Sequence, residues 1–415
     1  MLKQIEGSLG IAEAVALCRP GVVCAYPISP QTHIVENVGK LVKQGKLENC
    51  EFINVESEFS ALSVSIGASA GGVRTYTATA SQGLLFMAEA VYNASGLGLP
   101  IVMTVASRAI GAPINIWNDH SDSLSQRDSG WLQLFCESNQ DALDTHIMAF
   151  KIAEKVGLPV MVCMDGFVLT HAFERLDVPE QELVDKFLKT YEPQEFLDPN
   201  EPISMGAMVG PEAFTEVRLL QHRKMLKAID VIEEVTKEYR ELTGRNSGGL
   251  LDCYNCEDAD VKLVIMGSSV GTAKDAVDEL AKQGIKAGII SLKSYRPFPY
   301  EAMRKAIGDT KKVICVERAF SFGARGIIGP EVERSMKGCD TEIRTVIAGL
   351  GGRAILGSTI KGIVDGALNN KFTDEITWFD VDSSTLNEYL KKSEGVEFAE
   401  GPISESAVLD SIKKA

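Results

Sequence analysis

FINVESEFSA, at residues 52–61, is the stretch that decides the fold of this chain. A short apolar run is followed by the two carboxylates Glu56 and Glu58, and small residues continue beyond them. The pattern predicts a buried strand over 51–55 and a helix over 57–70, with the acids at the turn between them. A carboxylate at this place commonly interacts only with the helix dipole, and that structural role fits either glutamate taken singly.

Four other apolar runs are also followed at once by residues with unusual chemistry. The runs cover 22–26, 75–80, 101–106 and 160–164, and they are followed by the segments 27–30, 81–83, 107–108 and 165–166. If all five runs are parallel strands, these segments gather at the carboxyl edge of one sheet, where open α/β sheets bind ligands. The backbone N–H groups at 81–83 are then available to a ligand, or simply begin a helix.

The alternation of apolar runs with helical patterns over the first 164 residues favours a doubly wound parallel sheet that is covered by helices on both faces. From about residue 174 the sequence is rich in proline and acids, and a long charged helical pattern follows over 213–242. A second alternating unit begins at Asp260 with the apolar run 261–266 and a glycine-rich turn over 267–272, and further strands are predicted over 286–292, 312–316 and 342–346. This turn lacks the full dinucleotide fingerprint and the lysine of a P-loop, so we interpret it as a tight turn rather than a nucleotide site.

These changes predict four segments. The first is an α/β domain over 1–175, and the second is an extended linker with a long helix over 176–255. The third is another α/β domain over 256–370. The last is an acidic C-terminal tail over 371–415, which we expect to lie across a partner subunit.

Composition and charge exclude several classes of function. The chain has 415 residues, 45% of them hydrophobic, and a formal net charge of −15. That charge argues against nucleic acid or an anionic membrane as the main partner. No apolar run is long enough to span a bilayer, and no apolar segment follows Lys3 as it would in a signal peptide. We therefore expect a cytoplasmic protein.

Nine cysteines are scattered along the chain, several of them within apolar runs, as expected for free thiols in a reducing compartment. Cys253 and Cys256 have the spacing of half a metal site or of a redox pair. A structural zinc ion takes four ligands, and no second pair accompanies these two. We favour a coincidental surface pair near a domain boundary and leave its role open. The spacing also offers no set of four cysteines for an iron–sulfur cluster.

Two further polar features follow predicted strands. Pro27 and Pro30 fix the backbone on both sides of Ser29, so that its hydroxyl is held in a rigid turn, although a simple turn or cap would look the same. The segment 112–130 is long, polar and irregular, and such a loop after a central strand is more often functional than not. His120 lies there among aspartates, but this spacing is a weak signal for a metal, and we expect solvated polarity instead.

Seven motifs together resemble one family, the α subunits of the multi-subunit 2-oxoacid:acceptor oxidoreductases, and most closely those of the pyruvate:ferredoxin type. The motifs are YPISPQT at 26–32, NVESEFSAL at 54–62, TATASQGLL at 77–85, SRAIGAPINIWNDHSDSLSQRDSGWLQLF at 107–135, MDGFVLTH at 164–171, YRPFP at 295–299 and GLGGR at 349–353. The resemblance covers nearly the whole chain up to about residue 370, and its longest motif is too specific to arise by chance.

The resemblance implies a fold, a cofactor and site residues. The first domain resembles the family's thiamine-diphosphate domain of the pyrimidine-binding type, and residues 256–370 resemble its transketolase C-terminal-like domain. Glu58 matches the glutamate that hydrogen-bonds the aminopyrimidine ring, where a carboxylate assists proton transfer. Arg108 matches the arginine that binds the substrate carboxylate. Ser29 matches a threonine that contacts the substrate and Pro27 a residue that touches the cofactor, and no metal ligand is implied in this chain.

The resemblance also implies that this chain works within a complex. Enzymes with this cofactor hold its diphosphate and Mg²⁺ through a Gly-Asp-Gly turn, which does not occur in this sequence. The family places that turn and an iron–sulfur [4Fe-4S] cluster on a β subunit, and γ and δ (ferredoxin-like) subunits accompany it. These enzymes oxidise a 2-oxo acid with coenzyme A as co-substrate, release CO₂ and an acyl-CoA, and pass two electrons to ferredoxin or another acceptor.

Three alternatives stay open. Ser29 stands where pyruvate enzymes of the family usually have threonine, and the missing methyl group would accommodate a larger acid. Phenylglyoxylate or 2-oxoisovalerate therefore competes with pyruvate, which the overall likeness favours. A non-oxidative, transketolase-like enzyme would share Glu58 and the order of the two domains. A non-catalytic scaffold would retain Glu58 and Arg108 only as structural ions.

Overall fold

The computed structural model of the protein describes residues 1–414. The chain divides into two compact units, of which the first contains Met1–Leu250 and Lys293–Pro299 and the second contains Leu251–Leu292 and the chain from Tyr300 onward. This division differs from the predicted boundaries. The predicted linker belongs to the first unit as far as Leu250, and the predicted tail belongs to the second unit.

Helices and strands alternate along most of the chain. In order they are β1 (Leu2–Glu6), α1 (Gly7–Leu17), β2 (Val22–Ala25), α2 (Thr32–Lys43), β3 (Glu51–Asn54), α3 (Glu58–Ala70), β4 (Thr75–Thr79), α4 (Ser81–Phe86), α5 (Ala88–Gly96), β5 (Val102–Ser107), α6 (Ser121–Ser125), β6 (Leu132–Phe135), α7 (Asn139–Val156), β7 (Val160–Asp165), β8 (Phe173–Asp177), α8 (Gln181–Phe187), α9 (Phe214–Thr243), β9 (Leu251–Tyr254), β10 (Val261–Ile265), α10 (Ser269–Ala281), β11 (Ala287–Leu292), β12 (Ser294–Arg296), α11 (Tyr300–Ile307), β13 (Lys312–Glu317), α12 (Gly329–Ser335), β14 (Glu342–Ile347), α13 (Gly357–Leu368), β15 (Ile376–Trp378), α14 (Ser383–Ser393), β16 (Ile403–Ser404) and α15 (Glu405–Lys414). Of the helices described, none combines the length and the apolar character that crossing a membrane requires.

The first unit is built on a seven-stranded sheet in the order β12-β6-β7-β5-β4-β2-β3. The edge strand β12 pairs antiparallel with β6, and the other six strands run parallel. The five predicted strands are β2, β3, β4, β5 and β7, so the predicted parallel sheet is confirmed. The strand predicted as buried over 51–55 is instead the partly exposed edge strand β3. Strands β6 and β12 were not expected. The chain moves outward from β2 to β3 and then returns to β4 on the other side of β2. This reversal is a switch point, where open sheets leave a crevice for ligands.

The segment predicted as a linker is anchored to the first unit. The second half of α9 buries apolar side chains and packs against α7. The buried carboxylate of Asp144 on α7 accepts a hydrogen bond from the Tyr239 hydroxyl at 2.7 Å and from Arg245 at 2.7 Å. A buried carboxylate requires such partners, so these bonds tie the end of α9 to the sheet domain.

The second unit has its own seven-stranded sheet, in the order β16-β15-β14-β13-β10-β11-β9. The five strands from β15 to β11 in this order are parallel, and β9 and β16 are antiparallel edges. The predicted strands β10, β11, β13 and β14 are confirmed. Residues beyond 370 were predicted as a tail on a partner, but they add β15 and β16 because Ile376 and Ile403 are buried in this sheet. The turn after β10 has Gly267 at φ 75°, which fits the tight turn predicted there.

Candidate active site

The carboxyl ends of the parallel strands meet at one edge of the first sheet. Pairing sets Ala25 of β2 beside Asn54 of β3, and Ser107 of β5 beside Asp165 of β7. The segments that follow these strands therefore come together around the switch point between β2 and β4. This arrangement is the one that the five apolar runs predict.

Glu58 is a buried carboxylate at the start of α3. Its relative exposure is 8%, and none of the residues that the structure describes donates a hydrogen bond to it or forms an ion pair with it. The helix is capped instead by Ser57, whose hydroxyl accepts a hydrogen bond from the Ser60 backbone N–H at 3.1 Å. An ionisable group that is buried without a partner is costly, so this carboxylate is suited to an external donor.

Glu56 differs from Glu58 in its exposure and in its hydrogen bonding. It is exposed, and its carboxylate accepts a hydrogen bond from the Ser60 hydroxyl at 2.8 Å. That bond lowers the pKa of Glu56. The hydrogen bonds at this helix start are therefore made by Glu56 and Ser57. Glu58 is the acid in the first turn of α3 and makes no such bond.

Gly83 of α4 approaches the Glu58 carboxylate closely. A Cβ atom at this position would lie 2.6 Å from Glu58 Oε1 and 2.6 Å from Thr79 Oγ1. Within residues 1–414, Thr79 Oγ1 is buried and finds no hydrogen-bond partner. A buried carboxylate and a buried hydroxyl without partners thus lie beside a position that only glycine accommodates. Such a set fits a ligand that offers an N–H donor, as an aminopyrimidine ring does.

Arg108 follows β5 and is held by three acceptors. Its Nε donates to the Asn115 carbonyl oxygen at 3.2 Å, one terminal nitrogen to the Ser29 carbonyl oxygen at 2.7 Å, and the other to Gln82 Oε1 at 3.0 Å. A guanidinium has five N–H donors, so two of them are left for a ligand. Arg108 is 6% exposed, and its burial lowers the pKa of the guanidinium against the opposing effect of Asp122.

Ser29 and Pro27 lie at the end of β2, where neither side chain is fully buried. The structure brings Ser29 and Arg108 together as predicted, but the contact uses the carbonyl oxygen of Ser29 and not its hydroxyl. Pro30 packs against Gly166 after β7, where an added Cβ would lie 2.5 Å from the proline ring. The turn that carries Ser29 is therefore fixed from two sides.

The side chain of Gln82 also belongs to this group, although the sequence predicts a role only for the backbone of the turn at 81–83. It accepts from Arg108, and its amide nitrogen lies where a Cβ on Gly111 would meet it, at 2.5 Å. The backbone N–H of Ser81 is not offered to a ligand, because it donates to Asp122 Oδ2 at 2.8 Å. The turn at 81–83 therefore contributes a side chain to the site rather than a row of backbone donors.

Asp122 accepts hydrogen bonds from the backbones of the segments at this edge of the sheet. It is completely buried, and besides Ser81 its carboxylate accepts from the backbone N–H of Arg108 at 2.9 Å and of Ser123 at 2.6 Å. The nearby His120 is also buried, and its Nε2 lies 2.8 Å from Asp165 Oδ1. The expectation of solvated polarity around His120 was therefore wrong, because His120 and Asp122 are buried and contact Asp165 and the turn backbones.

Replacing Asp122 by asparagine is expected to destabilise the chain by about 1–3 kcal/mol, since the amide nitrogen would face a backbone donor. Burial raises the pKa of Asp122 to about 6, above its ordinary value of 3.8. The folded chain therefore binds more protons than the unfolded chain between about pH 4 and 6, and the stability from this group falls as the pH rises through that window. Urea unfolding at pH 5 and pH 8 should show a larger deficit of Asp122→Asn at pH 5.

Asp128→Asn provides the control for that measurement, because Asp128 belongs to the same segment but is exposed. Its unfolding midpoint should match the unmodified chain at both pH values. Equal midpoints for the two asparagine variants would show that Asp122 does not organise this edge.

Comparisons with known proteins show the family of this chain. Residues 13–240 match the family "Pyruvate flavodoxin/ferredoxin oxidoreductase, thiamine diP-bdg", and residues 259–360 match "Pyruvate:ferredoxin oxidoreductase core domain II". The pyruvate synthase subunit PorA of Methanosarcina barkeri is 45% identical over 87% of this chain and 91% of its own length. PorA of Methanocaldococcus jannaschii is 46% identical over 88% of this chain and 94% of its own length.

A relative with another substrate and two solved structures extend the comparison. The ketoisovalerate oxidoreductase subunit VorA of Pyrococcus abyssi is 39% identical over 91% of this chain and 97% of its own length. The 2-oxoglutarate:ferredoxin oxidoreductase of Magnetococcus marinus has the same fold at 18% identity, with a TM-score of 0.69, and the match covers 88% of this chain and 65% of that one. A split-gene transketolase matches with a TM-score of 0.51 at 15% identity, over 88% of this chain and 99% of that one. The family match spans more than half of the chain, and the two PorA subunits are similar to it over most of their length. The chain therefore belongs to the pyruvate flavodoxin/ferredoxin oxidoreductase family, among its α subunits.

Proposed function

We propose that this chain is the subunit that binds the pyrimidine half of thiamine diphosphate in an enzyme that oxidises pyruvate. The reaction consumes pyruvate and coenzyme A and yields acetyl-CoA, CO₂, two electrons and a proton. The observation that carries this proposal is the buried carboxylate of Glu58, which finds no partner within residues 1–414 and lies beside the partnerless Thr79 hydroxyl where Gly83 approaches both.

Glu58 would accept a hydrogen bond from a ring nitrogen of the aminopyrimidine. When bound, thiamine diphosphate supplies the nucleophilic carbon for the carbonyl of the 2-oxo acid and accepts the electron pair that decarboxylation releases. The carboxylate holds the ring in place and favours the protonation state that this chemistry needs. A charge-assisted hydrogen bond of this kind is stronger inside a buried site than in water.

Arg108 would bind the carboxylate of the substrate. Its two remaining N–H donors are positive, buried and fixed by Asn115, Ser29 and Gln82. A planar guanidinium suits a planar carboxylate, and the surrounding acceptors hold it in one orientation. Ser29 and Pro27, on the neighbouring turn, would line the substrate and the cofactor.

Pyruvate is the substrate that the relatives favour. The PorA subunits of M. barkeri and M. jannaschii are 45% and 46% identical to this chain, whereas VorA of P. abyssi is 39% identical. Ser29 is the residue that argues for a larger acid. One methyl group changes binding in a pocket by only about 1–3 kcal/mol, so this difference alone does not exclude pyruvate.

A partner subunit would supply the other half of the site. The chain contains no Gly-Asp-Gly turn for the diphosphate and Mg²⁺. Large apolar side chains are exposed beyond the carboxyl ends of the strands, including Phe86 at 60%, Ile114 at 80% and Trp117 at 54%. Exposed apolar groups that cluster around a site are typical of a subunit contact. They support a β subunit that closes this edge and carries the diphosphate site and a [4Fe-4S] cluster.

The other subunits and the electron acceptor are inferred from the family to which the chain belongs. We place γ and δ (ferredoxin-like) subunits beside the β subunit, and ferredoxin or another acceptor as the destination of the electrons. All nine cysteines of the chain are free, which supports a reducing, cytoplasmic location. We propose neither nucleic acid nor a membrane as a partner of this chain.

A substrate panel tests this function. The chain, co-expressed with its β, γ and δ partners, should reduce a low-potential viologen dye only when a 2-oxo acid and coenzyme A are both present, with the highest kcat/KM for pyruvate. A higher value for 2-oxoisovalerate or phenylglyoxylate would overturn the assignment of pyruvate. Turnover of a 2-oxo acid without dye reduction would instead support a non-oxidative, transketolase-like enzyme.

A further inference from the structure

Three side chains of the types that bind metal ions lie close together outside the proposed cofactor site. Glu6 is the last residue of β1, His33 is the second residue of α2, and His171 precedes β8. One carboxylate oxygen and one ring nitrogen from each histidine all lie within 4.8 Å of one another. We call these three residues the Glu6 cluster.

The side chains of the Glu6 cluster form polar and ring contacts with one another and with neighbouring groups. Glu6 Oε1 lies 2.7 Å from His33 Nδ1, and the rings of His33 and His171 are 4.6 Å apart between centroids. His171 Nδ1 lies 2.8 Å from the Thr170 hydroxyl, and that oxygen accepts a hydrogen bond from the Phe167 backbone N–H at 2.8 Å. An imidazole that is held through one nitrogen presents the other nitrogen in a fixed direction, which is how proteins orient metal-binding histidines.

The main chain holds the cluster in place. Glu6 pairs with Phe173 in the antiparallel ladder of β1 and β8, and the Gly7 N–H donates to the Ala172 carbonyl oxygen at 2.9 Å. At Gly7 a Cβ atom would lie only 2.1 Å from the Leu169 carbonyl oxygen, so the backbones approach as closely as glycine allows. The ligands thus converge from three elements that the fold has brought together.

We propose that Glu6, His33 and His171 bind a divalent transition-metal ion of the zinc class, with water completing the coordination. Two imidazoles and one carboxylate are a ligand set that Zn²⁺ accepts, with bonds of about 2.0–2.2 Å. Around a tetrahedral ion these distances place neighbouring ligand atoms roughly 3.3 Å apart. Glu6 and His33 must therefore separate slightly and His171 must approach, which the half-exposed side chain of His33 permits.

The ion would stabilise the surroundings of the site rather than take part in the reaction. His33 lies at the start of α2, directly after the turn that carries Ser29. Fixing this helix start to β1 and to the segment before β8 would also fix that turn. The family resemblance implies no metal ligand in this chain, so a bound ion would contradict that expectation. Binding of the ion does not depend on the proposed reaction.

Cobalt binding by the untagged full chain tests the proposal. After removal of metals by a chelator, Co²⁺ titration should give one saturable equivalent with the visible bands of a four-coordinate ion, and Zn²⁺ should displace it. His33→Ala and His171→Ala should each lose at least about tenfold in affinity, since even the outer partners of a metal site contribute 10- to 100-fold. His222→Ala, which removes an exposed histidine on α9, is the matched control and should bind normally.

Thermal unfolding keeps the test decisive if an alanine variant folds poorly. Zn²⁺ should raise the unfolding midpoint of the unmodified chain and of His222→Ala, because a ligand that binds the folded state stabilises it. Glu6→Gln keeps the volume of the side chain but removes its charge, and its midpoint should respond much less. Equal affinities and equal midpoint shifts in all variants, or no saturable equivalent, would reduce the cluster to an ion pair between Glu6 and His33.

Discussion

Glu58→Gln is expected to lower the rate of pyruvate oxidation by the assembled enzyme about 10²- to 10⁴-fold, the range that a positioned acid–base group contributes. Glutamine keeps the shape of the side chain and one acceptor oxygen, but it removes the negative charge that stabilises a protonated ring nitrogen. Viologen reduction by the complex, at saturating pyruvate, coenzyme A and thiamine diphosphate, measures the effect on kcat.

Glu56→Gln is the matched control, because Glu56 lies two residues earlier on the same turn and its exposed carboxylate accepts a hydrogen bond from the Ser60 hydroxyl. It should retain full activity. Both variants should assemble with the partner subunits to the same extent, as judged by co-purification. Full activity of Glu58→Gln in an intact complex would favour the scaffold interpretation, in which Glu58 is only a structural ion.

Arg108→Lys is expected to lower kcat/KM for pyruvate about 10- to 100-fold, mainly through a higher KM. The guanidinium reaches three acceptors at once and keeps two donors for the substrate. A lysine ammonium has three donors on a flexible stem and cannot keep all of these bonds while binding a carboxylate. Steady-state rates against pyruvate concentration separate the effects on KM and kcat.

Two controls make this result specific. The KM for coenzyme A should stay unchanged, since Arg108 is assigned to the carboxylate of the 2-oxo acid. Arg19→Lys should leave all constants unchanged, because Arg19 lies before β2, where it forms an exposed ion pair with Asp185 at 2.8 Å. An unchanged KM for pyruvate in Arg108→Lys would remove this residue from the substrate site.

The sheet of the first unit could be predicted because its strands are continuous apolar runs. Runs such as 22–26 and 101–106 are typical of buried parallel strands, and Ser29 and Arg108 follow them within three residues. The same pattern placed Glu58, Arg108 and Ser29 at one edge. The apolar pattern alone does not distinguish Glu56 from Glu58, and only the family resemblance selects Glu58. In the structure the two differ in burial and in the contact with Gly83.

Other features could not be predicted because their signal is not periodic. Asp122 and His120 lie in a polar segment, where solvation is the ordinary expectation, and they are buried only because they satisfy distant backbone and side-chain groups. The strands β15 and β16 contain three and two residues, too few for a pattern to show. The Glu6 cluster joins residues that are far apart in the sequence, so no short spacing indicates it.

The central claim is that Glu58 contacts the pyrimidine ring of a cofactor whose diphosphate a partner subunit holds. A density map of the assembled complex with thiamine diphosphate bound tests it most directly. We predict a Glu58 carboxylate oxygen about 2.7–3.2 Å from a ring nitrogen of the aminopyrimidine, with the diphosphate on the partner chain. A ring that lies away from Glu58, or a diphosphate held by this chain, would contradict it.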